Sequence, residues 1–356
     1  MSYLNILSQR EGFGKDTIGG RDGPLYRVNT LADSGAGSLR YALEASDPLW
    51  IIKEIPGVIS AKSPMYVKPY KTIDGRLQSF NIRGNGSTIG PLRFYNTNNI
   101  IVLNCILDDG WANYTTDSEG ADGITMSNAQ KIWLHHNLIQ KWSDGGCDIK
   151  GPDSEHITVT RNRFFYTYQA LVAEGDSISV GKNYFYKVAA RAPKAIIGRV
   201  HSYNNVIREW KFASIQSAKG GGQLLTDYNM YYPASFNLIN EYADSSSKIK
   251  NNNYYAVNSI SMVSGSNSVD SGWSTVARSV ANITKPSSSA WNTLLDEVRN
   301  MAGPTLPTPV YGVVEPTPTP NTTPTPNTTP TPDPNPKTLE QRVTDLETRV
   351  TTLENS

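Results

Sequence analysis

The chain has 356 residues, of which 38% are hydrophobic and only 18% charged, and its formal net charge is +1. That length allows one large domain with appendages. The near-zero charge excludes a general nucleic-acid or membrane-surface protein, so recognition of an acidic ligand would have to be local. Asn, Ser, Thr, Gly and Tyr are abundant, which suits an all-β chain with many turns. Cys105 and Cys147 are too few for a disulfide framework and are expected to be free, buried thiols. No apolar run reaches transmembrane length. The start, "MSYLNILSQREGFGKD", shows no basic region followed by an apolar one, so the expected location is intracellular or, by a route such as a virus particle, extracellular.

Residues 1–90 open with the glycine-rich "EGFGKDTIGGRDG". A short helix is predicted after Ser38, where Leu39, Ala42 and Leu43 have helical spacing. Strand-like pieces broken by turns follow it. From Asn98 a repeat takes over, in which alternating apolar residues lead to an asparagine and then to two or three apolar or aromatic residues. The asparagines are Asn104, Asn137, Asn162, Asn183, Asn205, Asn229 and Asn253. A period of twenty-odd residues signals a solenoid. Without intervening helical patterns it predicts a parallel β-helix of about three short strands per turn, with a β-sandwich as the alternative. A stacked asparagine at one corner of each coil would hydrogen-bond along the stack. Residues 287–303 read as a helix with Leu294, Leu295, Val298 and Met301 on one side, packing on the solenoid surface or end.

Three segments follow from this reading: a β-helix over 1–310, a Pro/Thr-rich linker over 311–337, and a short coiled coil over 338–356. In the last, Leu339, Val343, Leu346, Val350 and Leu353 form a heptad seam flanked by Arg342, Arg349, Glu347 and Glu354. Val at a with Leu at d favours a dimer. The twice-repeated Arg-h-x-x-h-Glu pattern resembles short trimeric coiled coils, and a homotrimer is the preferred expectation.

The stretch richest in chemistry is Ser143–Lys150, "SDGGCDIK". If Cys147–Lys150 is a strand, Asp148 and Lys150 share a face. Asp144 precedes it in a glycine-bearing turn from which it can fold back. Converging acidic oxygens suit a hard divalent cation such as calcium. His135 and His136 are adjacent on a strand and are expected to face opposite sides, which speaks against a zinc site. Trp111, Trp142, Tyr166, Tyr168, Tyr203 and Trp210 are candidates for stacking on sugars or for core packing.

Four segments in order, "TIGGRDGPLYRVNTLADSGAGSLRYALEA", "ADGITMSNAQKIWLHHN", "SDGGCDIKG" and "RAPKAIIGRVHSYNN", resemble the pectate lyase family of right-handed parallel β-helices over roughly residues 10–305. The resemblance implies a calcium-dependent polysaccharide lyase acting on an acidic, uronate-containing polysaccharide by β-elimination. It makes Asp122, Asp144 and Asp148 the calcium carboxylates, Lys150 a contact to the substrate carboxylate, and Arg191 the catalytic base. Lys194 and Arg199 are further candidate substrate contacts. Pro193, Gly198, His201, Asn204 and Asn205 match positions read as mainly structural. The chain departs from the family pattern at Ile196 and Gln169, where basic residues are common, and at His135, where an aspartate is. Those departures define an alternative: a β-helical glycan-binding or adhesion protein without catalysis. A glycosidase using Asp144 and Asp148 fits Lys150 and Arg191 less well. The linker and tail suggest a virion or tail-spike depolymerase, with neither nucleic-acid binding nor membrane insertion.

Overall fold

The computed structural model describes residues 2–84, 89–111, 113, 120–212, 214–233, 238–242, 244–256, 268–287 and 289–311. The expectations for the linker 311–337, past Tyr311, and for the heptad tail, 338–356, lie outside the described residues. Short strands wind into a right-handed parallel β-helix with three sheets of ten, eight and nine strands. The ten-stranded sheet runs from Leu25–Val28 to Lys248–Asn252, the eight-stranded sheet from Met65–Tyr66 to Leu238–Tyr242, and the nine-stranded sheet from Val58–Ser60 to Tyr255–Ala256. The chain visits the sheets in turn, so each strand pairs in parallel with its counterpart one coil away.

Alternation along each strand sends one set of side chains inward, and register stacks them. In the ten-stranded sheet Ile100, Ile132, Ile157, Ile178, Val200, Leu224 and Ile249 form one fully buried column. In the nine-stranded sheet the rings of Phe164 and Phe185 stack at 4.8 Å between centroids. Cys105 and Cys147 are free and buried, as the sequence suggests.

The asparagine ladder forms, with a register change at its ends. Asn137 Nδ2 donates to Asn162 Oδ1 at 2.9 Å, and the chain of bonds continues through Asn183 and Asn205 to Asn229. Each interior Oδ1 also accepts the backbone N–H one coil before it, so no buried amide group along the ladder lacks a partner. Asn104 and Asn253 sit one position early, at left-handed residues shared by His136, Arg161, Lys182, Asn204 and Tyr228. The ladder position itself belongs to Cys105 at one end, whose N–H donates to Asn137 Oδ1.

The helix Leu39–Glu44, capped by Ser38 accepting from the Tyr41 N–H, buries Leu39, Ala42 and Leu43 in the interior core. The N-terminal segment crosses the outer face of the ten-stranded sheet: Gly14 N–H donates to Thr158 Oγ1, Gly20 N–H to Thr72 Oγ1, and Lys182 pairs with Glu11 at 3.0 Å. Helix Ser271–Val280 packs Trp273 and Ala277 over Leu225 on that same sheet. Helix Trp291–Met301 lies along the nine-stranded sheet, where Leu294 and Val298 meet Tyr184, Val206 and Met230. Met301, expected on the packed side, is 45% exposed because the buried seam follows Leu294 and Val298. Among the described residues the eight-stranded sheet carries no such cover, and it presents the large side chains of Tyr66 and Tyr95 to solvent.

Candidate active site

The outer face of the eight-stranded sheet gathers most of the residues singled out by the sequence. Ile124–Ser127, Gly145–Lys150, Gln169–Ala173 and Lys194–Ile196 are consecutive neighbours in it. Asp122, just before the first of these strands, reaches Gly145, and its Oδ1 accepts the Gly145 N–H at 3.0 Å. Asp148 lies on the outward row of the next strand. A Cβ placed on Gly145 would stand 2.5 Å from Asp122 Oδ1 and 2.5 Å from Asp148 Oδ1. Glycine is therefore what allows the two carboxylates, from neighbouring coils, to close on a single point.

Both carboxylates are buried, and Asp148 Oδ1 is a buried oxygen without a hydrogen-bond partner among the described residues. Burial and then the charge of Asp122 push the Asp148 carboxyl up to about 7, against the pull of Lys150. Lys150 Nζ lies 3.1 Å from Asp148 Oδ2 and 3.7 Å from Asp122 Oδ2. Burial works against its charge, but Asp148 and Asp122 outweigh that and hold its ammonium above the ordinary lysine value. Asp144, in the preceding turn, adds its charge to both groups. Among the described residues no set of three carboxylates, imidazoles or thiols is arranged to hold a metal ion. The orphaned oxygen and the glycine-lined approach of two carboxylates nevertheless fit a hard cation, which would relieve their repulsion.

Gln169 pairs with Gly145 in register, and Arg191 Nη1 donates to Gln169 Oε1. The guanidinium thus stands one strand from the acidic cradle. Arg191 is itself left-handed, at φ 60°, where the chain turns into Lys194–Ile196. Lys194 occupies the same outward row as Asp148, with Val172 between them. Arg199 is not brought to this face. It belongs to the ten-stranded sheet, where it forms a two-pronged ion pair with Asp176 at 2.6 Å and lies over the Trp273 ring at 5.7 Å.

His135 and His136 also depart from the expected opposed arrangement. The positive φ of His136 swings its ring beside that of His135, 4.5 Å away and edge-on. Burial lowers both imidazoles, His136 to about 4. Their Nδ1 atoms meet Thr160 Oγ1 and Gly303 O. Of the aromatic candidates, Trp142, Tyr203 and Trp210 are buried core residues. Tyr168 remains half-buried, edge-on to Phe212 at 5.6 Å. No sequence motif marks the exposed Tyr66 and Tyr95 or Arg93, 3.9 Å from Asp122 Oδ2. Alternation on short strands was the one available signal.

Comparison with known proteins agrees with the fold. A family model described as pectate lyase matches residues 57–304. Putative pectate lyase 21 of Arabidopsis thaliana is 32% identical over 235 residues, covering 59% of this chain and 58% of that protein. Pectate lyase 1 of Cryptomeria japonica is 31% identical over 229 residues, covering 57% and 61%. The chain thus spans under two thirds of the length of these relatives. Among solved structures, the cedar-pollen allergen jun a 1 superposes with a TM-score of 0.66 at 20% identity, covering 84% of this chain and 94% of that one. A pectate lyase bound to a hexasaccharide gives 0.62 at 16% identity, covering 83% and 97%. With most of the β-helix inside the matched region, including every strand that builds the acidic cradle, the chain belongs to the pectate lyase family.

Proposed function

We propose that this chain is a polysaccharide lyase that cleaves a uronate-containing polymer by β-elimination, with calcium held by Asp122 and Asp148 and assisted by Asp144. The observation that carries this reading is the pair of buried carboxylates closing on Gly145 with one oxygen unpartnered, flanked by Lys150 and Arg191. A uronate has a weakly acidic C5 proton beside its carboxylate. Elimination breaks the C5–H and C4–O bonds and forms a C4–C5 double bond, and its obstacle is charge building next to an existing anion. A bound calcium ion would neutralise and polarise the uronate carboxylate as a Lewis acid. Lys150, at the rim of the cradle, adds a positive charge to the same carboxylate, and Lys194 extends the positive row toward the next sugar. Arg191 receives the C5 proton. Its guanidinium is ordinarily protonated, so it first loses one proton to solvent; the Gln169 amide oxygen orients the group, and the departing C4 oxygen takes its proton from water.

Ultraviolet absorbance of the unsaturated sugar end, followed with and without a chelator on polygalacturonate, alginate and bacterial capsules, tests this reading. A signal abolished by chelation and by Arg191→Ala in a folded protein supports it. The neutral Gln169 and Ile196 favour a second reading, a glycan binder, which would bind one of these polymers without producing absorbance. We further infer that the segments 311–337 and 338–356 carry the β-helix as a homotrimer on a virion-type depolymerase, gaining avidity on a glycan coat. Deletion of 338–356 tests this, since an unchanged mass in solution would refute it.

A further inference from the structure

Upstream of the acidic cradle, the same sheet face carries a second cluster that the reaction does not use. Tyr66 and Tyr95 are 55% and 59% exposed, large rings held open to solvent on neighbouring strands. Tyr66 is in register with Arg93, and Arg93 and Tyr95 are two apart on one strand, so all three project from the outer face. Their inward neighbours Met65, Leu92 and Phe94 are fully buried, which fixes that orientation. Two straight rows connect this cluster to the cradle. Arg93 pairs with Thr125, which pairs with Asp148, and Tyr95 pairs with Ser127, which pairs with Lys150. Ser127 therefore separates Tyr95 from Lys150 by two strand spacings, about 10 Å, and Arg93 and Thr125 separate Tyr66 from Asp148 by three, about 14 Å. Arg93 makes a long 3.9 Å approach to Asp122 and keeps its side chain 26% exposed, so its planar fork of donors is within reach of a ligand on this face.

We propose that Tyr66, Arg93 and Tyr95 form a distal binding subsite for the anionic glycan, on the N-terminal side of the cradle. The inference rests on the lyase reading of that site. Its occupant is an uncleaved stretch of the same uronate chain. The aromatic faces receive pyranose rings, whose C–H groups pack on the electron-rich π surface, and Arg93 takes a carboxylate by paired hydrogen bonds. Charge complementarity and continuity with the Lys150 row select this occupant over a neutral glycan. A subsite whose tyrosines lie two and three strand spacings from the cradle makes the protein sensitive to chain length, because only an oligomer long enough to span that distance gains from it.

The experiment compares KM on polygalacturonate or the polymer found active with KM on a series of its oligomers, for the wild type, Tyr66→Ala, Tyr95→Ala and Tyr95→Phe, alongside polymer binding by affinity electrophoresis. Both residues are exposed, so melting temperatures should be unchanged. The wild type should prefer long chains, and each alanine variant should shrink the long-over-short preference by about tenfold, with Tyr95→Phe restoring it. An unchanged length preference in an active Tyr66→Ala, Tyr95→Ala double variant would overturn the subsite while leaving the lyase reading intact. A wild type that neither cleaves nor binds any uronate polymer would remove both.

Discussion

Replacing Gly145 with alanine is the sharpest test of the cradle. Gly145 does not have a positive φ, so the added methyl introduces no backbone strain and acts through contact alone. That methyl would sit 2.5 Å from an oxygen of Asp122 and 2.5 Å from an oxygen of Asp148, where ordinary contact begins at 3.4 Å. Each carboxylate must therefore retreat by about 0.9 Å, a large displacement for calcium–oxygen bonds of about 2.4 Å. Calcium affinity should fall at least tenfold, or about 1.4 kcal/mol. Overpacking should cost about 1–3 kcal/mol of stability in addition. Calorimetric titration of chelator-stripped protein with calcium measures the first effect, and melting curves in chelator measure the second. Asp148→Asn, which keeps the shape but removes the charge, guards against a variant that merely misfolds. A folded Gly145→Ala protein that binds calcium as the wild type does would refute the assignment of the cradle.

The remaining expectations concern pH and the polar interior. Because the folded Asp148 carboxyl lies near 7, above its unfolded value of about 3.9, it stabilises the metal-free fold at low pH, and that contribution is lost as pH rises through 7. A rise in melting temperature on adding calcium should therefore be present at pH 8 and vanish by pH 5; equal shifts at both would contradict the assignment. Asp227 behaves in the opposite sense: burial raises it, but hydrogen bonds from His201 and Arg278 outweigh this and hold it low. Its contribution is present above the unfolded value and is lost as pH falls through the folded one, so Asp227→Asn should cost about 3 kcal/mol near neutrality and much less in acid, by denaturant titration. Asn183→Ala would strip the Asn162 N–H of its acceptor and the Val159 carbonyl of its donor, costing roughly 3 kcal/mol in the same assay. A loss under 1 kcal/mol would show that the ladder is not a principal support of the fold.

The coil was legible because its signals are local and repeated: alternation, the recurring asparagine, and the Asp144–Asp148–Lys150 spacing all survive in a linear reading. What stayed hidden depends on which sheet a residue reaches. Arg199 is only five residues from Lys194, yet Ile197 and Gly198 turn the chain onto the ten-stranded sheet, where Asp176 pairs with it. The one-residue shift of Asn104 and Asn253 arose because the left-handed corner precedes the ladder position and accepts asparagine equally well. The buried pair Glu11–Lys182 joins residues 171 apart, a contact no spacing rule could suggest. Tyr66 and Tyr95 lie on strands of two and four residues, too short to announce a face.

The amide column also meters the coil unevenly. Successive asparagines are separated by 25, 21, 22 and 24 residues, yet their side-chain bonds stay between 2.9 and 3.1 Å. One corner of each turn from Asn137 to Asn229 is thus clamped to a fixed pitch, and variation in contour length there is discharged elsewhere along the perimeter. Insertions and deletions in those unclamped bends can remodel the walls around a sugar without disturbing the spacing of the residues beneath it. A scaffold with one ruled edge and one free edge lets new glycan preferences evolve while the floor of the groove stays in register.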